Sequence, residues 1–301
     1  MGLQIRKATA DDIPGMMLLF SSSIAISKSA SFFQWWNRIP SITYCAIDQG
    51  ELVGMFVVLK RKLINDLNCG VLMGLLVNRE WRGKGLFKEL GNKAMDYFED
   101  MDLFCCLTNS VGKEALEKNF NFRTIDTIET MILAGHANVD SHDYIHTPIT
   151  SDTKFNNFMM GEGDKVMFLA DEEFRRWRFA GHPRYLYSMI RKDSDEFVVI
   201  NKYCDTETKM RYGDIVDFET EALEEDRLIN LFNDACLSLA KDVDGVTIQA
   251  IPKSLLHGVG QKMGFVESNL RHYFCVKVKE PYNEYLYNAS KWLIKWGDYL
   301  R

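Results

Sequence analysis

The sequence predicts a mixed α/β (α+β) fold that occurs twice, in two tandem domains of which the second is degenerate. Three observations predict it. Short strand-like runs alternate with helical patterns through the first half of the chain. Two of the runs, GVLMGLLV and DLFCCLT, are almost wholly apolar, as in strands that are buried on both faces of a sheet. The same order of patterns then recurs in the second half at one fixed offset in the numbering.

The first half begins with an alternating strand, after which Thr9 and Asp12 open a helix as a capping box. A turn at Gln49 and Gly50 joins the next two strands as a hairpin. The predicted elements in chain order are a strand at 3–9, a helix to residue 24, strands at 42–48, 51–64 and 69–77, a helix at 86–99, a strand at 102–108, a helix at 110–120 and a strand at 124–135.

The second half repeats this order. Adding 143 to each position carries the helix at 86–98 onto 229–241 and the strand at 102–108 onto 245–251. Identity is low, but order and spacing agree, which favours a tandem duplication. We therefore expect a first domain at 1–137, a linker at 138–152, a second domain at 153–280 and a C-terminal helical tail at 281–301.

Composition excludes several classes of protein. The formal net charge of −6 provides no general attraction for nucleic acid. The apolar runs are shorter than the roughly 20 residues of a membrane helix, and the first residues lack the apolar core of a signal peptide. The seven cysteines form no CxxC pair, and the closely spaced His142 and His146 lie in the linker. These features predict a cytoplasmic protein with buried free thiols and no metal site.

The stretch VNREWRGKGLFKEL (77–90) joins a buried strand to a helix through Arg82, Gly83, Lys84 and Gly85. The first amides of a helix have no internal partners and the helix dipole makes that end electropositive. Glycines let a ligand approach the backbone, and the two cations add charge. The pattern predicts a phosphate cradle. Neither the Walker pattern nor the dinucleotide pattern GxGxxG is present.

This order, followed by a strand and NSVGKEALEKNFNF, resembles the GNAT superfamily of acyl-CoA-dependent N-acyltransferases. The family motif is Gln/Arg-x-x-Gly-x-Gly/Ala. It aligns Arg82 and Gly85 with its first two defined positions and places Phe87 where Gly or Ala is usual. The endings NFNF and QKMGF resemble the family's kxGF, with Asn121 in place of glycine in the first.

The resemblance implies a site for acetyl-CoA as the acyl donor. The backbone from Arg82 to Phe87 would hold the pyrophosphate, and an amide near Leu76 would polarise the thioester carbonyl. Asn109 would contact the pantetheine or sulfur region. The implied cofactor-binding residues are Leu75, Leu76, Val77, Arg82, Gly83, Lys84, Gly85, Leu86, Phe87 and Asn109.

The resemblance is less direct about proton transfer. The family often has a tyrosine five residues before the final Phe of this motif, and here that position is Glu117. We take Asn109 and Glu117 as the catalytic candidates. The buried strand before the cradle carries no carboxylate, so the general base is left open among Asp48, Glu51, His182 and other residues of the second half.

In the second half the cradle is lost. Its four positions map onto Glu225, Asp226, Arg227 and Leu228, and the carboxylates would repel a pyrophosphate. The second domain is therefore expected to support the first and to bind no CoA.

The resemblance implies transfer of an acetyl group to a small primary amine. Aromatic clusters at 31–40 and 174–187 are candidates for the acceptor site. The tail at 288–301 resembles that of tandem GNAT proteins of surface-polysaccharide synthesis, which favours an amino sugar. Two alternatives stay open: a CoA-binding or sensor protein without turnover, and an aminoacyl-tRNA-dependent transferase. The oligomeric state is open as well.

Overall fold

The strands and helices follow the apolar runs of the sequence in the computed structural model, which describes residues 2–24, 28–134, 146–155, 165–191, 196–205, 207–279 and 284–298. The strands are β1 (Gln4–Lys7), β2 (Ser41–Asp48), β3 (Glu51–Lys62), β4 (Asn68–Val77), β5 (Leu103–Thr108), β6 (Arg123–Ala134), β7 (His146–Pro148), β8 (Val166–Met167), β9 (Tyr187–Arg191), β10 (Phe197–Cys204), β11 (Arg211–Glu219), β12 (Gly245–Ala250), β13 (Val266–Val278) and β14 (Trp292–Leu293). The helices are α1 (Ile13–Ile24), α2 (Ala30–Trp36), α3 (Leu86–Asp96), α4 (Ser110–Phe120), α5 (Glu172–Arg175), α6 (Glu225–Leu239) and α7 (Leu255–Lys262). None of the helices in the described ranges is both long and apolar enough to cross a membrane. Most of the predicted linker at 138–152, including His142, lies outside the described residues.

The order of elements repeats along the chain, as the sequence predicts. Strand β4 begins at Asn68 and β11 at Arg211, and β6 begins at Arg123 and β13 at Val266, so the same offset relates both pairs of strands. Both halves contain a mixed sheet flanked by helices. The predicted fold class, α/β with two similar halves, is therefore confirmed.

The two compact units of the chain are not contiguous in sequence. They are Met1–Ile125 with Tyr273–Tyr287 (unit 1) and Asp126–His272 with Asn288–Arg301 (unit 2). These bounds differ from the contiguous domains expected at 1–137 and 153–280.

The strand order explains the difference. In unit 1 the order is β1-β2-β3-β4-β5-β13, and β13 is antiparallel to β5, with Cys275 opposite Cys106. In unit 2 the order is β6-β12-β11-β10-β9-β7, and β6 is antiparallel to β12, with Met131 opposite Ile248. The last strand of each sequence half thus completes the sheet that the other half builds. The two strands are similar in length and position, which makes such an exchange possible.

The sheet of unit 1 carries helices on both faces, because side chains alternate along each strand. Phe56 of β3 belongs to the cluster of buried residues that also contains Leu90 of α3 and Leu116 of α4. Its neighbour Val57 faces the other side, where it lies near Trp36 of α2 at the glycine bulge of β4. Helices α3 and α4 therefore pack on one face, and α2 packs on the opposite face.

The tail is not the single helix that the sequence predicts. It forms 3₁₀ turns at Glu284–Tyr287, Ala289–Lys291 and Trp296–Asp298, with β14 between the last two, paired in parallel with β8. Local side-chain bonds compete with the helix here. The Asn288 carboxamide oxygen accepts from the amide of Ser290 at 3.1 Å, and Asp298 accepts from the amide of Lys295 at 2.8 Å.

Candidate active site

The parallel strands β4 and β5 separate at the centre of unit 1. Among the described residues their ladder runs from Cys69–Leu103 to Leu72–Cys106, although β4 continues to Val77. Beyond Leu72 the edge of β4 that faces β5 is open for a ligand that pairs with it in the way a strand would. The sequence-predicted residues Leu75, Leu76 and Val77 all lie on this open stretch.

A bulge shapes the open stretch of β4. The register with β3 shifts between Met55 and Val57, and Gly74 has a positive φ of 58°. A Cβ at Gly74 would lie 3.0 Å from the Trp36 ring and 3.2 Å from Val57. Glycine is therefore needed both for the backbone conformation and for the close approach of Trp36. The bulge re-aims the main chain of Leu75 and Leu76 relative to a regular strand.

The predicted cradle lies where β4 leads into α3. Gly83 and Gly85 have φ values of 75° and 81°, and Gly85 is the N-cap residue of α3. No atom lies within 4 Å of the position that a Cβ would take at either glycine. The N-cap residue has no side chain to satisfy the first amides of α3, so those amides remain available to an anion. This open backbone fits the pyrophosphate of an acyl-CoA.

At the next two residues, Leu86 and Phe87, only the backbone is suited to binding a pyrophosphate. Leu86 is 2% exposed and packs into the core. The ring of Phe87 lies 5.6 Å from Phe56 and 5.5 Å from Phe120, centre to centre. The departure from the family motif at Phe87 is thus absorbed by the core and leaves the mouth of the cradle clear.

The two cations of the loop are exposed at its rim. The Arg82 Nε donates to the carbonyl of Val77 at 3.1 Å. The Lys84 ammonium lies 4.8 Å from the centre of the Trp81 ring. Each side chain is therefore held next to the loop by one contact while its charge stays exposed to solvent.

A polar cleft of about 460 Å³ adjoins this loop. It is lined by Ser22, Ser23, Asn78, Arg79 and Arg82. The sequence reading passed over Arg79 because a single arginine beside a turn has no distinctive pattern. The position of Arg79 in a cleft can be recognised only from the structure, in which Ser22 and Ser23 of α1 line the same cleft.

The two catalytic candidates of the sequence are already engaged within the protein. Asn109 is the N-cap residue of α4, and its carboxamide oxygen accepts from the Gly112 amide at 2.9 Å. Its NH₂ group is the part that can contact a ligand. The Glu117 carboxylate accepts a hydrogen bond from the Thr124 hydroxyl at 2.6 Å. One carboxylate oxygen of Glu117 is therefore already engaged within the protein.

A tyrosine from β13 lies near these residues. Tyr273 stands opposite Thr108, the last residue of β5, and is half-buried. The Lys113 ammonium lies 5.0 Å from the centre of its ring. The sequence reading missed Tyr273 because nothing in the local pattern shows that β13 pairs with β5.

The candidates for a general base are dispersed. Asp48 and Glu51 face each other across the turn between β2 and β3 in unit 1. His182 lies in unit 2, where its Nδ1 accepts from the amides of Arg184 and Tyr185, both at 3.1 Å. His182 therefore holds a turn together, and Nδ1 is not available as a base.

The first aromatic cluster fills the core. Phe32, Phe33, Trp35 and Trp36 are between 2% and 5% exposed, and their rings contact one another. In the second cluster Trp177 is buried as well. Core packing therefore explains both clusters. The sequence suggested instead that they line the acceptor site.

In unit 2 the positions equivalent to the cradle are occupied by ion pairs. Arg227, which corresponds to Lys84, pairs with Glu196 at 2.5 Å and with Glu221 at 2.7 Å. Glu225, which corresponds to Arg82, pairs with Lys262. Among the residues that the structure describes, the cations Arg227 and Lys262 at this helix start are thus paired with carboxylates of the protein.

The tail of the chain covers β11 in unit 2. The Lys295 ammonium contacts Asp217 at 2.5 Å and donates to the Phe218 carbonyl at 3.0 Å. Burial favours the neutral form of Asp217, but the charges of Lys295 and Arg175 outweigh it and lower its pKa. A Cβ at Gly297 would lie 3.1 Å from the Val216 carbonyl oxygen.

The tail therefore lies against the strand that corresponds to β4. The parallel ladder between β11 and β12 is short, and it runs only from Tyr212–Gly245 to Asp214–Thr247 among the described residues. Lys295 and Trp296 line a small cavity of about 10 Å³ with residues of both strands. The stretch of sheet that is open in unit 1 is covered by the chain itself in unit 2.

Comparison with known proteins agrees with this geometry. Residues 16–122 match the acetyltransferase (GNAT) family. No curated protein matches the chain. The fold is similar to that of a putative acetyltransferase from Pyrococcus horikoshii (TM-score 0.60, 13% identity, 93% of this chain and 90% of that one).

Two further solved structures share the fold. A probable N-acyltransferase from Enterococcus faecalis has a TM-score of 0.62 at 7% identity, over 92% of this chain and 72% of that one. The Saccharomyces cerevisiae N-myristoyltransferase with bound myristoyl-CoA has a TM-score of 0.61 at 12% identity, over 91% and 82%. At these identities the likeness concerns the fold.

Proposed function

We propose, from the match of residues 16–122 to the acetyltransferase (GNAT) family, that the protein is an N-acyltransferase that moves an acetyl group from acetyl-CoA to a small primary amine. One observation carries the proposal. An open glycine cradle at the start of α3 directly follows the stretch of β4 that separates from β5. The cradle suits a pyrophosphate, and the open strand edge suits the amide groups of a pantetheine arm.

The bulge of β4 supports the proposal of a short acyl group. Trp36 and Val57 lie within 3.0–3.2 Å of the Cβ position at Gly74, so little space is left beside the turn of β4. The small space beside Trp36 and Val57 suits a short acyl group such as acetyl better than a long acyl chain. The bound acyl-CoA supplies the activated thioester carbonyl. A main-chain N–H near Leu76 then stabilises the negative charge that develops on the carbonyl oxygen.

Proton transfer is assigned to residues at the end of β5. We propose Tyr273 as the group that protonates the departing thiolate, in place of Glu117, because its phenolic hydroxyl is a proton donor beside the end of β5, whereas Glu117 already accepts a hydrogen bond from Thr124. The NH₂ group of Asn109 would position the pantetheine nearby. Loss of a proton from the amine requires a base, for which Asp48 and Glu51 stay candidates through water.

The acceptor and the compartment are the finer parts of the proposal. An amino sugar is our first candidate for the amine. Free cysteines, of which Cys45 and Cys236 are buried with the pKa of each thiol raised to about 12 by burial, suit a reducing cytoplasm.

A second candidate function is a CoA-binding protein without turnover. The engagement of both Asn109 and Glu117 within the protein favours it. The two functions are distinguished by measuring acetyl-CoA binding calorimetrically and CoA thiol release with a panel of primary amines. Binding with amine-dependent thiol release supports the transferase. Binding without release across the panel supports the second function, and absence of binding refutes both.

A further inference from the structure

The loop between β4 and α3 has two sides, and the cradle uses only one. Its amides belong to the start of α3, which packs on the same face of the sheet as α4. Helix α1 lies on the opposite face, because its Phe20 ring contacts Phe33 and Trp36 of α2 at 5.5 and 6.4 Å between ring centres. A ligand beside α1 is therefore on the other side of the loop from the cradle amides.

The cleft of about 460 Å³ opens on that second side. Ser22 and Ser23, in the last turn of α1, form one wall, and Asn78, Arg79 and Arg82 form the other. Among the described residues, its lining contains two guanidinium groups and no carboxylate. Within the described part of the chain, neither arginine forms an ion pair. The two cations therefore border an open volume without neutralising a protein anion. Such an arrangement is suited to binding an oxyanion of a ligand.

The position of the cleft shows which substrate carries the oxyanion. The donor's pyrophosphate is already accounted for by the cradle of the proposed function, on which this inference rests. The cleft adjoins the end of β4, two to three residues beyond Leu76. At a strand rise of about 3.3 Å per residue, Asn78 lies roughly 7 Å along the chain from Leu76, beside which the proposed function puts the acyl carbonyl, and Arg79 begins the 3₁₀ turn just beyond it. If the nitrogen of an acceptor attacks the thioester near Leu76, a substituent at that distance from the nitrogen reaches the cleft.

We propose that the cleft lined by Arg79 and Arg82 binds an oxyanion of the acceptor, a phosphate or a carboxylate, and that the acceptor is an amine whose nitrogen is separated from this group by that same distance. Arg79 is the specificity residue, since Arg82 also belongs to the cradle loop. The Ser23 hydroxyl is placed to add a hydrogen bond. Neutral amines of the same size lack this anchor and are the poorer substrates.

The test uses the full chain and pairs of amines that differ only in the anion. Glucosamine is compared with glucosamine 6-phosphate and with a nucleoside-diphosphate amino sugar, and amino acids are compared with their amides. The variant is Arg79→Gln. Arg271→Gln is the matched control, because it removes one exposed cation from β13 in unit 2.

For the wild type we expect at least one anionic amine to have a kcat/KM ten or more times that of its neutral partner. Arg79→Gln should raise KM about tenfold for the anionic member and leave kcat and the neutral member within twofold. Acetyl-CoA affinity should stay within twofold, and Arg271→Gln should behave as the wild type. If the amino-sugar phosphates show this preference, the oxyanion is a phosphate. If the amino acids show it, the oxyanion is a carboxylate.

Three results would overturn the inference: equal effects of Arg79→Gln on both members of each pair, no turnover of any anionic amine, or weakened acetyl-CoA binding in Arg79→Gln. Each leaves the donor site to be judged separately, from calorimetric binding of acetyl-CoA. The failure of this inference is therefore distinguishable from the failure of the proposed function.

Discussion

Replacing Gly85 by glutamate tests the cradle most directly. The residue has a φ of 81°, and no atom lies within 4 Å of a Cβ built on it. The substitution therefore meets no clash, and its cost to folding is the backbone term alone. A non-glycine residue in the left-handed region costs about 1–2 kcal/mol, which lowers Tm by roughly 2–8 °C.

The effect on binding is larger than the effect on folding. A carboxylate about 5 Å from a phosphate charge, at an effective dielectric constant of about 20, is repelled by about 3 kcal/mol. Arg82 and Lys84 offset part of this repulsion. We expect acetyl-CoA to bind about 100-fold more weakly to Gly85→Glu, since about 1.4 kcal/mol corresponds to a tenfold change.

Two controls separate charge from strain in calorimetric titrations with acetyl-CoA. Gly85→Ala imposes the same backbone strain without the charge and should bind within about tenfold of the wild type. Gly264→Ala matches the strain in unit 2, where φ is 88° and the nearest atom to a Cβ is 3.7 Å away. It should leave binding unchanged. The reasoning is refuted if folded Gly85→Glu binds acetyl-CoA as tightly as the wild type.

Three other substitutions test separate parts of the structure. Tyr273→Phe should lower kcat roughly 10- to 100-fold with KM nearly unchanged if the phenol donates a proton, and an unchanged kcat in steady-state assays excludes that role. Gly297→Ala should destabilise the protein by about 1–3 kcal/mol, because the new methyl group would press on the Val216 carbonyl, and calorimetric Tm values will show whether it does. Asp12→Asn should cost about 1 kcal/mol at pH 7, after allowance for the one-third exposure of Arg6, whose hydrogen bond holds the pKa of Asp12 below its ordinary value. That stabilisation is present above the unfolded pKa of about 3.9 and is lost as pH falls through the folded pKa. The difference between wild type and Asp12→Asn in denaturant titrations should therefore be largest near pH 7 and should shrink as the pH is lowered below about 3.9.

Sequence reasoning succeeded where the signal is local. The apolar run before Asn78, the glycines at 83 and 85 and the helix pattern that follows them each depend on neighbouring residues, and the structure places strand, loop and helix there. The constant offset between the two halves also predicted the second set of elements. Whether these residues bind acyl-CoA stays a prediction.

The features that sequence reasoning missed depend on distant pairings. The final strands β6 and β13 have nearly the same pattern, and no local signal shows which of them joins β5. Tyr273 could not be connected with Asn109 for that reason. The sequence predicts a helical tail at 281–301, but side-chain caps and pairing with β8 produce short turns and a strand there.

The placement of β13 beside β5 has a consequence for synthesis of the protein. The sheet that carries the cradle lacks its sixth strand until Val278 has left the ribosome. At usual elongation rates, the roughly 150 residues after Ile125 take about 8–30 s to make. During that time the β5 edge, rich in buried apolar residues, is unpaired and open to association with other chains. A nascent chain that ends before β13 should therefore depend on chaperones and resist expression as an isolated first half.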